Sequence, residues 1–170
     1  MRAVIVYESM FGNTQQIALA IGKGLGAGLD VSVLEVGEAD GTATDGADLL
    51  VVGGPTHAFG LSRASTRQSA AEQASTPLVS TGRGIREWLD ERAPAEPGRV
   101  AAAFDTHVDK PRWLPGSAAR SAGKHLRRLG YRLLVPPESF YVTGTPGPLI
   151  DGELERAEQW GRRLGAALAG

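Results

Sequence analysis

The stretch Ala3-Val-Ile-Val-Tyr7-Glu-Ser-Met-Phe-Gly-Asn-Thr14-Gln-Gln-Ile-Ala-Leu-Ala-Ile21 reads as a strand, a short loop and a helix. Ala3 to Tyr7 is almost continuously apolar, as a strand covered on both faces requires. From Thr14 to Leu25 the apolar residues Ile17, Ile21 and Leu25 recur every four positions, which places them on one face of a helix. The loop between carries hydroxyl and amide groups and one glycine, with no Lys or Arg. A strand that turns directly into a helix aims backbone N–H groups and the positive end of the helix dipole at one point. That point can hold a phosphate without a basic side chain. Ser9, Asn13 and Thr14 add side-chain donors, and Gly12 admits close backbone approach. Capping of the helix by Asn13 or Thr14 accounts for the same residues equally well. The loop lacks the Gly-Lys-Ser/Thr ending of a nucleoside triphosphate loop and the spaced glycines of a dinucleotide fingerprint.

The rest of the chain repeats this alternation. Strands are expected at Val31 to Val36, Asp48 to Val52 (ended by Gly53-Gly54-Pro55), Val100 to Phe104, and Tyr131 to Val135 with Ser139 to Val142. The last is one strand divided by Pro136-Pro137, which suits a change of register or an edge. Helices are expected at Gly82 to Glu91, at Ser117 to Leu129 with a stop at Gly130, and at Asp151 to Leu168. In the last helix Asp151 is the expected N-cap, and Leu154, Ala157, Trp160 and Leu164 form the expected buried stripe. Trp88 is likewise assigned to the core. Residues Thr56 to Thr81 show neither a strand nor a long helix, and a loop of that length in a compact domain is more often functional than neutral. Five strands alternating with helices predict an α/β protein with a parallel sheet covered on both faces, in a single domain over 1–170.

Composition narrows the function classes. The 170 residues carry a net charge of -1, which gives no footprint for nucleic acid or an anionic membrane. There is no Cys, which excludes disulfides, thiolate metal sites and Cys nucleophiles. No apolar run is long enough to span a bilayer and no signal segment opens the chain, so a cytoplasmic protein is expected. His57, His107 and His125 make a poor metal set, because Lys124, Arg127 and Arg128 surround His125. The run from Lys124 to Arg128 is the solvent face of a helix, and Arg63 and Arg67 read as ordinary solvated charges. No Gly-x-Ser-x-Gly elbow is present for a hydrolase. A phospho-receiver is excluded because Glu8 stands alone at the first strand end and no Lys follows Val135 or Val142.

In open parallel sheets ligands bind beyond the C-terminal strand ends. Three loops leave such ends: Glu8 to Thr14, Gly53 to Gly60, and Asp105 to Gly116. Each contains an aromatic residue: Phe11, Phe59 and Trp113 respectively. Phe59 and Trp113, with His57 nearby, are candidates to cover a flat heterocycle, although packing explains any one of them more simply.

Together these residues resemble the flavodoxin-like family. Val6-Tyr7-Glu-Ser-Met-Phe-Gly-Asn-Thr14 is similar to that family's FMN phosphate loop. Gly53-Gly54-Pro55-Thr56 is similar to the end of its third strand and the start of its first isoalloxazine loop, and Phe104-Asp105-Thr106 to the start of its second. The resemblance implies a three-layer α/β/α sandwich around a doubly wound, five-stranded parallel sheet of order 2-1-3-4-5. It implies bound FMN, with Ser9, Met10, Phe11, Gly12, Asn13 and Thr14 at the phosphate. Pro55, Thr56, His57, Ala58, Phe59 and Gly60 would flank one side of the ring, and Asp105, Thr106, His107 and Trp113 the other. It further implies an electron carrier or small FMN-dependent oxidoreductase, serving a redox partner protein or a small acceptor such as a quinone, with the flavin doing the chemistry. The alternative is a binding module that keeps the fold without flavin. The chain departs from the family's short electron carriers in its near-neutral charge and in Asp109-Lys-Pro-Arg-Trp113, which replaces their Gly- and Tyr-rich second loop.

Overall fold

The computed structural model describes residues 1–26, 28–109 and 115–170. The chain runs β1 (Arg2–Tyr7), α1 (Asn13–Leu25), β2 (Asp30–Glu35), α2 (Gly41–Thr44), β3 (Leu49–Pro55), α3 (Ala64–Gln73), α4 (Ile85–Asp90), β4 (Val100–Val108), α5 (Ala118–Arg128), β5 (Arg132–Leu133), β6 (Glu138–Val142) and α6 (Glu153–Ala169). One parallel sheet has the order β2-β1-β3-β4-β5, with β6 also on β4. β5 pairs with Val100 and Ala101, and β6 with Phe104 to Val108. The two short strands are therefore the predicted fifth strand, divided where the two prolines cannot donate to the ladder.

The strand period sorts the core into two layers. Ala3, Ile5 and Tyr7 face α1 and α6, where they meet Ile17, Ile21, Leu49, Phe104, Phe140 and Trp160. Val4 and Val6 face the other way, toward Leu50, Val52, Ile85, Trp88 and Leu126. Phe104, Phe140 and Trp160 meet edge to face, with ring centroids 6.1 to 6.3 Å apart, so the aromatic layer locks β4 and β6 to α6. Where α1 crosses α6 the backbones touch: a Cβ on Gly24 would overlap the Glu158 carbonyl, and one on Gly161 the Ile21 carbonyl.

Several boundaries differ from the sequence expectation. β3 does not end before Gly53 but runs to Pro55, because Gly53, Gly54 and Pro55 pair in register with Phe104, Asp105 and Thr106 of β4. β4 continues past Phe104 to Val108, since β6 offers it a partner along that length. The expected loop from Thr56 to Thr81 contains the ten-residue helix α3, whose only buried residue is Ala70. Without an apolar stripe it has no helical signature; polar contacts hold it. α6 starts at Glu153 after Gly152 in the left-handed region (φ 87°), so Asp151 is not its N-cap. That start turns Glu153, Ala157, Trp160 and Leu164 inward and leaves Leu154 44% exposed, outside the stripe expected for it. Arg67 is not an ordinary solvated charge: its guanidinium forks onto Glu87 at 2.9 and 3.2 Å and donates to Ser62. Among the described residues no helix is long and apolar enough to cross a membrane.

Candidate functional site

A cavity of about 720 Å³ opens at the C-terminal ends of β1, β3, β4 and β6. Three segments that follow or end β1, β3 and β4 build part of its walls.

The first follows β1. Glu8 N–H donates to the Gly53 carbonyl, so the loop leaves in line with the sheet. Residues 79–80 clip its outer edge: Val79 N–H donates to the Met10 carbonyl, Ser80 N–H to the Ser9 carbonyl, and Ser9 N–H to the Ser80 hydroxyl at 2.9 Å. Gly12 then takes φ 92°, a conformation that favours glycine, and donates its N–H to the Ser9 hydroxyl at 3.1 Å. No side chain caps α1. Asn13 donates instead to the Pro146 carbonyl at 3.2 Å, and the Thr14 hydroxyl bonds to the Thr106 hydroxyl at 2.7 Å. Simple capping is thereby removed as the explanation of these residues. The first-turn N–H groups of α1 have no acceptor within the helix. Ser9, Met10, Phe11, Asn13 and Thr14 line the cavity, while Gly12 shapes the turn beside it.

The second segment follows β3. His57 and Gly60 pair across a two-residue turn, N–H to carbonyl in both directions at 2.8 and 3.1 Å. Both central residues have positive φ, 44° at Ala58 and 74° at Phe59. Such a primed turn ordinarily uses Asn or Gly, so the surrounding structure enforces it here. Part of that enforcement is Gly116, whose backbone lies so close to Phe59 that no side chain fits between them. Pro55, Thr56, His57, Ala58 and Phe59 line the cavity, with Phe59 55% exposed at its mouth, while Gly60 does not reach it. His57 Nδ1 lies 3.1 Å from the Thr66 hydroxyl of α3, and burial, aided by the positive charge of Arg67, lowers the imidazole's pKa.

The third segment is the end of β4. Thr106 and His107 line the cavity. Asp105, expected beside them, does not: it is fully buried under the N-terminus of α5. Its Oδ2 accepts from Thr56 at 3.0 Å, Ser117 at 2.5 Å and the Ala119 N–H at 2.9 Å, which fastens β3, β4 and α5 together. The cause is the start of α5, whose Ser117 hydroxyl and Ala119 N–H cover Asp105, whereas Thr106 reaches Thr14. Trp113 lies outside the described residues.

Beneath the site Glu8 is fully buried. Its carboxylate accepts from the Ser62 hydroxyl and, at 2.9 Å, from the Ile85 N–H, so it joins β1 to the starts of α3 and α4. Burial raises its pKa against the opposing pull of Ser62, Ile85 and Arg67.

The cavity also has walls that sequence reasoning missed. α3 supplies Thr66, Ser69 and Gln73, the start of α5 supplies Ser117 and Arg120, and β6 with its following turn supplies Ser139, Tyr141 and Thr145. The α3 residues carry no local signal. Tyr141 was legible as a strand residue, but its place opposite His107 follows only from the register of β6 on β4. His125 lies elsewhere and meets Asp90 at 3.0 Å.

The flavodoxin family model matches residues 5–86. No curated protein matches the sequence. Among solved structures, a flavodoxin from the domain Archaea superposes with a TM-score of 0.69 at 19% identity, covering 100% of both chains. A cysteine-to-serine mutant of flavodoxin from Pseudomonas aeruginosa gives 0.68 at 20% identity, again over 100% of both chains. A flavodoxin, WrbA-like protein from Agrobacterium tumefaciens gives 0.60 at 19% identity, over 99% of this chain and 97% of that one.

Proposed function

We propose that this chain, whose fold is that of flavodoxins, is an FMN-binding redox protein, passing electrons through a non-covalent flavin to a partner protein or to a small acceptor such as a quinone. One observation carries the reading: the uncapped start of α1, ringed by neutral donors, forms one end of a cavity long enough to continue past the strand ends. The residues present fit the cofactor. A phosphate monoester that is not to be hydrolysed needs backbone N–H groups and hydroxyls rather than a mobile Lys, and the loop provides those. Its volume of about 720 Å³ is within the range of small-molecule sites.

Ser9, Gly12, Asn13 and Thr14 would hold the phosphate. Met10 and Phe11 would screen it from solvent beside the loop. Pro55 to Phe59 would flank the ring on one side, with the strained turn presenting backbone polar groups at a fixed position. Thr106 and His107 would line the other side. When bound, FMN supplies one- and two-electron transfer; the protein orients it, excludes water and tunes its potential. The near-neutral surface offers no bulk charge for docking, so recognition of a partner or acceptor rests on the cavity mouth.

The test is optical. Purified protein incubated with FMN and freed of excess ligand is expected to be yellow, with flavin bands near roughly 370 and 450 nm. Colourless protein that takes up no added FMN overturns this reading and leaves the flavin-free binding module in its place.

A further inference from the structure

Resting on the FMN reading above, we propose that the small acceptor reduced in this cavity carries an anionic group, a carboxylate or sulfonate on a flat ring, and that Arg120 at the start of α5 binds it.

The observation behind it is the charge of the cavity wall. Among the described residues no Asp or Glu lines the cavity, and Arg120 is the one lining side chain with a fixed charge. His57 adds little, because burial and Arg67 oppose its protonation. The Arg120 backbone N–H donates to the Ser117 hydroxyl at 3.3 Å, but among the described residues its exposed guanidinium meets no carboxylate. Other arginines are paired: Arg67 with Glu87, Arg83 with Glu91, Arg99 with Glu96. A second cavity, of about 630 Å³ at the N-terminal ends of β3, β4 and β5, shows the contrast. Arg83, Arg92 and Arg99 line it together with Asp45, Glu91 and Glu96, so no charge is left over.

The FMN phosphate does not account for the cation. α1 packs through Ile17 and Ile21 on the sheet face that carries Ile5, whereas α5 packs through Ala118, Ala122 and Leu126 on the face that carries Val4 and Val6. The phosphate turn and Arg120 therefore enter the cavity from opposite faces of the sheet. Gly116 lies against Phe59, so α5 begins beside the turn that would flank the ring. A guanidinium there offers a forked, permanently charged donor to a carboxylate or sulfonate. In a recess lined by one sign of charge, it attracts an anion and opposes a cation. A small ring entering the recess meets Arg120 and the Phe59 turn together, which a protein surface resting on the rim does not.

The reaction balances without the arginine. A quinone bearing the anionic group gains a hydride from flavin reduced beforehand by a chemical reductant, and a proton from water, which gives the hydroquinone. The anionic group is unchanged, and Arg120 neither gains nor loses a proton.

The test compares a charged and an uncharged acceptor. FMN-loaded protein is reduced anaerobically with one equivalent of dithionite and mixed with 1,4-naphthoquinone-2-sulfonate or with neutral 2-methyl-1,4-naphthoquinone. In Arg120→Gln the ratio of the sulfonate's rate to the neutral quinone's, below saturation, is expected to fall about 5-fold, and in Arg120→Lys, which keeps the charge, by less. An unchanged ratio in Arg120→Gln overturns the proposal, and a fall confined to the limiting rate overturns the binding role. A second readout needs no turnover. Naphthalene-2-sulfonate and the uncharged naphthalene-2-sulfonamide are titrated into oxidised FMN-loaded protein and followed by flavin absorbance. The wild type is expected to favour the anion about 5-fold, and Arg120→Gln to bind the two alike; a wild type without that preference overturns the proposal. An Arg120→Gln protein that loses FMN but keeps riboflavin places the arginine at the cofactor's phosphate and overturns it too. Protein that takes up no FMN overturns the earlier reading and this one with it; yellow protein with an unchanged acceptor ratio overturns this one alone.

Discussion

Thr14 shows how much a single side chain depends on its partner. In the sequence it is a hydroxyl at a helix start, equally suited to a cap or to a ligand. In the structure it caps nothing and meets Thr106 across the sheet end at 2.7 Å. A pair of hydroxyls has one proton to spare for an acceptor outside the pair. Thr14→Val is therefore expected to weaken FMN binding about 10- to 100-fold, the cost of one hydrogen bond to a charged group, while riboflavin, which lacks the phosphate, loses less than about 3-fold. Fluorescence titration of both ligands checks this, and equal losses would make Thr14 a purely structural residue. Asp105 teaches the opposite lesson. Its neighbours in sequence mark it as a ring contact, yet the start of α5 lies over it and takes up its carboxylate.

At the scale of elements, legibility followed the source of each element's stability. α1, β1 and β3 are held by apolar burial, which leaves a period in the sequence. α3 is held by Arg67 on Glu87, Ser62 on Glu8 and Thr66 on His57, none of which is near enough in sequence to be seen as a pattern. The α1–α6 crossing is of the same kind. Gly24 and Gly161 look like interruptions of good helices, since glycine costs about 1 kcal/mol in a helix interior. They are where the two backbones meet. Gly24→Ala, which would ordinarily stabilise a helix, is expected here to destabilise the protein by about 1–3 kcal/mol, because the new methyl meets the Glu158 carbonyl rather than a movable side chain. Urea unfolding measures it; a stabilised variant would show that the helices are free to separate.

For the whole molecule, the cavity is built from loops on both sides of the sheet, so a ligand that fills it binds only the folded chain. FMN at a hundred times its Kd should add about 2.7 kcal/mol of stability, which for a domain of this size raises Tm by about 5–10 °C. A thermal melt with and without FMN checks this, and an unchanged Tm would mean that no folded-state site exists.

The sequence by itself determined the alternation of strands and helices, the divided fifth strand, the covering of the sheet on both faces and the glycine turn that leads into α1. Each of these rests on local geometry or on a hydrophobic period, and both are written along the chain. Tertiary structure alone decided that Asn13 and Thr14 leave α1 uncapped, that α3 walls the cavity, that Asp105 is buried while His107 faces the site, and that Tyr141 stands beside it. Those outcomes depend on polar partners distant in sequence and on strand register, and register becomes fixed only when the sheet assembles.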